Sequence, residues 1–251
     1  MLPERNGGTT MKRTLCGIAL LVLGAPSANA VLVSRSSGQA YYDDVLDITW
    51  LADANYAQTS GYDADGRMTW PLAQDWIASL NTENHLGVDD WRLPTIVDTG
   101  TAGCDYGYEL TDCGYNADVT TSAMAHLFYD TLGNTAYYNE DGAQTGCSNA
   151  SPYCLTNRAP FSKLQPYFYW SGTAYAPLAD SDSWYFRFAY GSQNHSATTN
   201  EYYAWAVRDG DIALVPEPAA ALLFPSALAA LGWLKRRTGG STRGLPDDAP
   251  Q

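Results

Sequence analysis

Two short apolar runs, one near each end of the chain, leave only the middle free to fold as a globular unit. Lys12-Arg13 precedes the apolar stretch Leu15 to Leu23, and Ala28-Asn29-Ala30 follows it. A basic start, a brief apolar core and an Ala-x-Ala exit form the pattern of a secretory signal peptide. The stretch is shorter than the ~20 apolar residues a bilayer span requires. We assign residues 1–30 to this signal, with Met11 as an alternative start. Near the other end, Val215-Pro216-Glu217-Pro218 leads into sixteen mostly apolar residues, Ala219 to Leu234, closed by Lys235-Arg236-Arg237. An apolar segment with a cationic stop holds an emerging chain transiently in the inner membrane. Pro225 and the marginal length make it a poor permanent anchor. The expected organisation is a signal over 1–30, one globular domain over 31–214, a sorting segment over 215–237 and a polar tail over 238–251.

The globular segment carries seven basic against 23 acidic side chains, a formal charge of −16. Phosphate backbones are bound by clustered Lys and Arg, so nucleic acid is excluded as a partner, and anionic membranes are repelled. Solubility outside the cell explains the charge, and cation-holding loops are the second reading. Four cysteines fall in this segment, Cys104, Cys113, Cys147 and Cys154. An even count in an exported chain implies disulfides, with three possible pairings. Cys104–Cys113 and Cys147–Cys154 close the shortest loops and are favoured. Zinc is the rival reading, and neither a Cys-x-x-Cys pair nor an adjacent His supports it.

Tyr41 to Leu51 reads as a strand or strand pair, with Asp43-Asp44 and Asp47 marking a turn. Thr69 to Asn81 reads as a helix, with Thr69 as cap, Pro71 in the first turn, and Leu72, Trp76 and Leu80 as its buried stripe. Ser122 to Leu132 is a second helix, stopped at Gly133. Tyr167–Thr173, Trp184–Tyr190 and Tyr202–Val207 read as three aromatic strands, and Ser192 to Glu201 as the polar connection between the last two. The expected fold class is α+β: one compact domain of short antiparallel strands, two helices and long disulfide-bridged loops.

Several segments carry a resemblance. Tyr42-Asp43-Asp44-Val45-Leu46-Asp47-Ile48-Thr49-Trp50-Leu51, Gly61-Tyr62-Asp63-Ala64-Asp65-Gly66-Arg67-Met68-Thr69-Trp70 and Trp91-Arg92-Leu93-Pro94-Thr95 are similar to the Lcl C-terminal-domain-like family. So are Tyr169-Trp170-Ser171-Gly172-Thr173 and Ala204-Trp205-Ala206-Val207-Arg208. The resemblance covers about 40–212 and implies a surface protein, with a C-type-lectin-like fold by analogy. It also implies a link to polysaccharide, matrix and biofilm. The family commonly runs from Trp-Arg-Leu-Pro-Thr straight into a helix; here Ile96 to Asn116 intervenes. The tail resembles a PEP-CTERM sorting signal, in which Pro216-Glu217-Pro218 is recognised by an exosortase and Lys235, Arg236 and Arg237 form the stop. That resemblance implies cleavage near the motif and release to the cell surface or exopolysaccharide.

Candidate chemistry is sparse. Asp63-Ala64-Asp65-Gly66 resembles part of a calcium loop, but the twelfth position is Gln74 rather than Glu, so an ordinary Asp-Gly turn is the plainer reading. Asp63 and Asp65 remain the candidate metal ligands, with Ca²⁺ as the one cofactor considered. Seven tryptophans lie in the domain, and Trp50, Trp76, Trp91, Trp170 and Trp205 are expected in the core. Tyr185, Tyr202 and Tyr203 are the candidate ligand-binding aromatics, offering an apolar face and a polar tip. His85, His126 and His195 are scattered, and the sequence holds neither a nucleophile elbow nor a zinc-protease motif. The sequence therefore predicts a non-enzymatic carbohydrate- or matrix-binding module, with a purely structural matrix role and a two-carboxylate glycan hydrolase as alternatives. From the net charge, the expected glycans are neutral or cationic, or bridged by cations.

Overall fold

The computed structural model describes residues 31–100, 104 and 112–212. The signal and sorting segments, with Pro216, Glu217, Pro218, Lys235, Arg236 and Arg237, lie outside the described residues. Among the described residues no helix is long and apolar enough to cross a membrane.

The domain is α+β, with two sheets, few helices and two disulfides. In chain order its strands are β1 (Leu32–Arg35), β2 (Ala40–Asp43), β3 (Ile48–Leu51), β4 (Arg67–Met68), β5 (Gly114–Tyr115), β6 (Phe168–Ala174), β7 (Asp182–Arg187), β8 (Ser192–Ala197), β9 (Tyr202–Tyr203) and β10 (Val207–Asp209). The helices are α1 (Tyr56–Thr59), α2 (Trp70–Thr82) and α3 (Ala123–His126), which continues as a wider π-turn over Leu127–Thr131. One sheet has the order β1-β2-β3-β10 and the other β4-β9-β6-β7-β8-β5.

The pair expected over 41–51 is the hairpin β2–β3. The buried Asp43 carboxylate accepts from the Val45 and Leu46 amides, each at 3.1 Å, and so fixes its turn. In α2 Trp76 and Leu80 of the expected stripe are buried and Leu72 is not. Leu72 is 38% exposed, while Ala73, Trp76, Ile77 and Leu80 are buried, which is the i, i+3, i+4, i+7 face. Pro71 sits in the first turn as expected, but the Thr69 side chain makes no capping bond. Ser122 does cap α3, accepting from the Ala125 amide at 3.2 Å.

The segment expected to be a polar connection, 192–201, begins instead with strand β8, paired along its whole length to β7. Its residues, Ser-Gln-Asn-His-Ser-Ala, lack apolar alternation, and hydrogen bonds from their side chains hold the strand in its place. Gln193 donates to the Asp112 carbonyl at 2.5 Å, and His195 Nδ1 lies 2.9 Å from Asp182. The aromatic segment 202–207 is likewise not one strand. Tyr202–Tyr203 pairs with β4 and β6, and the chain then crosses to the small sheet as β10.

Trp205 makes that crossing. Its indole packs 4.8 Å from Trp50, 4.9 Å from Phe161 and 6.1 Å from Phe188, filling the space between the two sheets. Trp50, Trp76, Trp91, Trp170 and Trp205 are all at most 2% exposed, as expected of core. Trp170 donates to the Met68 carbonyl and Trp91 to that of His85, so these two rings carry their polar atom inward without leaving it unmet, whereas the indole N–H groups of Trp50 and Trp76 have no acceptor among the described residues. Both favoured disulfides are present, Cys104–Cys113 and Cys147–Cys154.

Three arginine–aspartate pairs hold β10. Arg208 grips Asp90 through two bonds of 2.7 and 2.8 Å, Arg35 grips Asp211 through two of 2.6 Å, and Arg92 pairs with Asp209. Arg92 also exchanges both backbone hydrogen bonds with Val207, at 2.7 and 2.8 Å.

Candidate functional site

Tyr202 and Tyr203 are adjacent on β9 and therefore point to opposite faces. Tyr202 lies near-parallel to Phe168 at 4.8 Å, meets Tyr185 edge-on at 5.2 Å and sits 4.5 Å from the buried Trp170. Its hydroxyl is 3.1 Å from Ser196 Oγ. Tyr203 instead stacks on Tyr169 at 5.3 Å and faces Tyr167 edge-on at 5.9 Å. The structure thus brings Tyr185 and Tyr202 together and places Tyr203 apart from them.

Tyr203 opens onto a basin of about 380 Å³ lined by Asp65, Arg67, Tyr153, Gln165, Pro166, Tyr167 and Tyr203. Four pieces of chain build it. Arg67 and Tyr203 are cross-strand partners in the β4–β9 pair. Tyr167 enters from the start of β6 and is 37% exposed. Tyr153 comes from the loop closed by Cys147–Cys154, and the Cys154 amide donates to the Ala189 carbonyl at 2.9 Å, which ties that loop to the end of β7. Gln165 is held by its amide, which donates to the buried Tyr169 hydroxyl at 2.9 Å.

Asp65 and Arg67 give the basin its charge. Arg67 donates to Asp65 Oδ2 through Nη2 at 2.6 Å and through Nε at 2.9 Å. The Arg67 guanidinium holds the Asp65 carboxyl below the usual range, and Asp65 in turn raises Arg67. Both are ionised at neutral pH. Burial pushes the Tyr203 phenol up, so it stays protonated and able to donate. Arg67 Cζ also stands 6.0 Å from the Tyr167 ring centre. Aromatic walls with a few fixed polar groups can stack an apolar sugar face while bonding its hydroxyls.

Of the two candidate metal ligands, Asp63 accepts from the amides of Asp65 at 3.0 Å and Gly66 at 2.7 Å. Asp65 is engaged by Arg67. Both carboxylates therefore stabilise the turn that carries the basin's ion pair. Among the described residues no group of three or more His, Cys, Asp or Glu is placed to hold a metal. The histidines stand in three separate settings. His85 packs on Tyr56 at 4.6 Å, His195 stacks on Tyr175 at 3.7 Å, and the buried His126 has Asp130 at 3.5 Å and Asp43 at 4.0 Å.

A smaller cavity of about 220 Å³ lies beside β3, with Asp53, Tyr56, Thr59, His85 and Ser162 around a floor of Leu51 and Ala52. It offers one aromatic wall where the basin offers three. Sequence reasoning nominated Asp65 and Tyr203 but not Arg67, Tyr153, Gln165 or Tyr167. The one available signal was the short cysteine spacing, which marks Tyr153 as a residue on a fixed loop.

The family model for the Lcl C-terminal domain matches residues 39–208, which takes in the larger sheet, most of the smaller sheet except β1, and every residue of the basin. No match is found among curated proteins or among solved structures. Two disulfides and this match fit an extracellular, surface-associated protein. With the match covering well over half of the sequence, the chain belongs to the Lcl C-terminal domain family.

Proposed function

We propose that this domain is a non-enzymatic binding module that holds a polysaccharide chain of the cell surface or surrounding matrix in the tyrosine basin. The observation that carries the reading is the convergence of Tyr153, Tyr167 and Tyr203 around the Asp65–Arg67 pair in an open cavity of about 380 Å³. A cavity of that size lies within the usual range for small-ligand sites, and open aromatic walls suit a polymer that must pass through rather than be enclosed. The Pro216-Glu217-Pro218 tail supports delivery to the surface by an exosortase after transient membrane retention. Binding without chemistry is favoured because the basin's one carboxylate, Asp65, is held by Arg67 and so is not poised as a base on a ligand.

A glycan array probed with the secreted domain tests this, with and without a chelator. Binding is expected, and Tyr203→Ala and Tyr167→Ala are each expected to weaken it about tenfold or more, on the scale of stacking losses of 1–3 kcal/mol per ring. Flat signals across acidic, neutral and sulfated glycans would remove the reading in favour of a structural matrix role. Release of reducing sugar from any bound polysaccharide would convert it to a hydrolase.

A further inference from the structure

Among the described residues, one cation near the basin has no carboxylate partner. Seven Lys and Arg side chains lie among the described residues. Five sit within 4.0 Å of a carboxylate: Arg35, Arg67, Arg92, Lys163 and Arg208. Arg158 donates to the carbonyls of Leu155 and Leu164. Arg187 does neither. Its Cζ stands over the ring of Tyr190 at 4.1 Å and over that of Phe168 at 4.9 Å, and among the described residues its guanidinium has no hydrogen-bond acceptor. A domain with 23 acidic side chains has carboxylates to spare for a guanidinium. Here two aromatic rings position the cation while its five N–H donors remain uncommitted.

The position of Arg187 relates it to the basin from two sides. Tyr190 meets Tyr153 at 5.6 Å, and Phe168 meets Tyr167 at 4.8 Å. Tyr153 and Tyr167 are basin walls, so Arg187 stands one ring beyond the cavity along both. Arg187 is the cross-strand partner of Phe168, which stacks on Tyr202, so it lies on the sheet face opposite Tyr203, and a polymer seated in the basin would reach it by passing around the Tyr167–Phe168 edge. The planar edge of a guanidinium matches a carboxylate through two parallel hydrogen bonds. Arg187 is half-buried, where competing water is reduced and such bonds gain strength. The charge of the whole domain opposes an anionic partner, but that field is screened over about 8–10 Å at physiological salt, and contact chemistry decides within it.

We propose that Arg187 is the anion subsite of the basin and takes the carboxylate of an acidic sugar in the bound chain. This rests on the reading of the basin as a glycan site and specifies what that glycan carries.

The test compares a galacturonate trisaccharide with its methyl ester, both titrated against the secreted domain by calorimetry. The acid is expected to bind about tenfold more tightly than the ester, on the scale of one charge-assisted bidentate contact. Arg187→Gln is expected to abolish that preference, so that acid and ester bind the variant with equal affinity. Arg187→Lys keeps the charge without the planar fork and is expected to restore part of the preference, which controls for lost packing. Tyr203→Ala is expected to weaken both ligands alike. Equal affinity for acid and ester, or a preference that survives Arg187→Gln, overturns the acidic-sugar assignment and leaves the basin reading standing. A domain that binds neither ligand overturns the assignment, and the array then decides the fate of the basin itself.

Discussion

The indole N–H of Trp205 donates to the carbonyl of Leu51 at 2.7 Å, joining residues 154 apart in sequence where the chain passes from one sheet to the other. The same ring touches Trp50, Phe161, Tyr169 and Phe188, so one side chain serves both sheets. Trp205→Ala should cost about 3–5 kcal/mol of stability, the range for emptying a large aromatic from a core. Trp205→Phe should cost less, keeping ring contacts but leaving the buried Leu51 carbonyl unmet, about 1–3 kcal/mol. Denaturant unfolding followed by tryptophan emission measures both, and a Trp205→Phe variant as stable as the parent would show that the hydrogen bond contributes nothing.

Gly66 carries the turn of the basin's ion pair at a φ of +83°. A Cβ built there would lie 1.7 Å from Asn55 Oδ1, far inside contact distance. Gly66→Ala should therefore displace Asn55 and destabilise the domain by about 1–3 kcal/mol through strain and crowding. Because Asp63 caps this same turn, glycan affinity should fall with it. A thermal melt and a binding titration on one sample check whether the two losses move together.

The Cys147–Cys154 bridge presents Tyr153 to the basin. Replacing both cysteines by serine should cost about 2–3 kcal/mol from loop entropy for so short a closure. Affinity for the glycan should drop more than the melting temperature implies, since Tyr153 loses its fixed position. The reverse ranking, intact binding with lowered stability, would make the bridge a staple unrelated to ligand.

Acid should loosen the domain through β10. Arg208 holds the Asp90 carboxyl below the usual aspartate range, and Arg35 does the same for Asp211. A carboxyl lowered in the folded state contributes stability that is complete above the unfolded value of about 3.9 and disappears as pH falls through the lowered folded value. Melting temperature should thus hold from pH 7 to about 4 and drop below it. The Asp90→Asn, Asp211→Asn double variant should show a shallower acid limb, and an unchanged limb would place the acid sensitivity elsewhere.

Much of the scaffold was readable from local pattern. Pro71 and the four-residue spacing marked α2, and the Asp43–Asp47 segment marked the β2–β3 hairpin, because both signals act over a few residues. The exposed Leu72 was misread, since Leu72, Trp76 and Leu80 share a spacing of four with the true face and only packing selects Ala73 and Ile77. Strand β8 was invisible for a different reason: Gln193 and His195 replace apolar contacts with hydrogen bonds, so no alternation survives in the sequence. The basin was largely hidden as well. Asp65, Tyr153, Tyr167 and Tyr203 converge across some 138 positions, and no local rule links them. The charge of −16 is a sum over residues, so the setting of Arg187 between Phe168 and Tyr190 had no signal in the sequence.

Strand β10 has three paired positions, yet its flanks are gripped by Arg35, Arg92 and Arg208. The sequence beyond residue 212 continues from this strand. A pull arriving along that continuation would load the ionic clasp first, before the tryptophan-filled interior. Ionic grips slacken in brine and in acid, whereas apolar packing does not. A copy of this protein pulled from beyond residue 212 would therefore be loaded first through its smaller sheet.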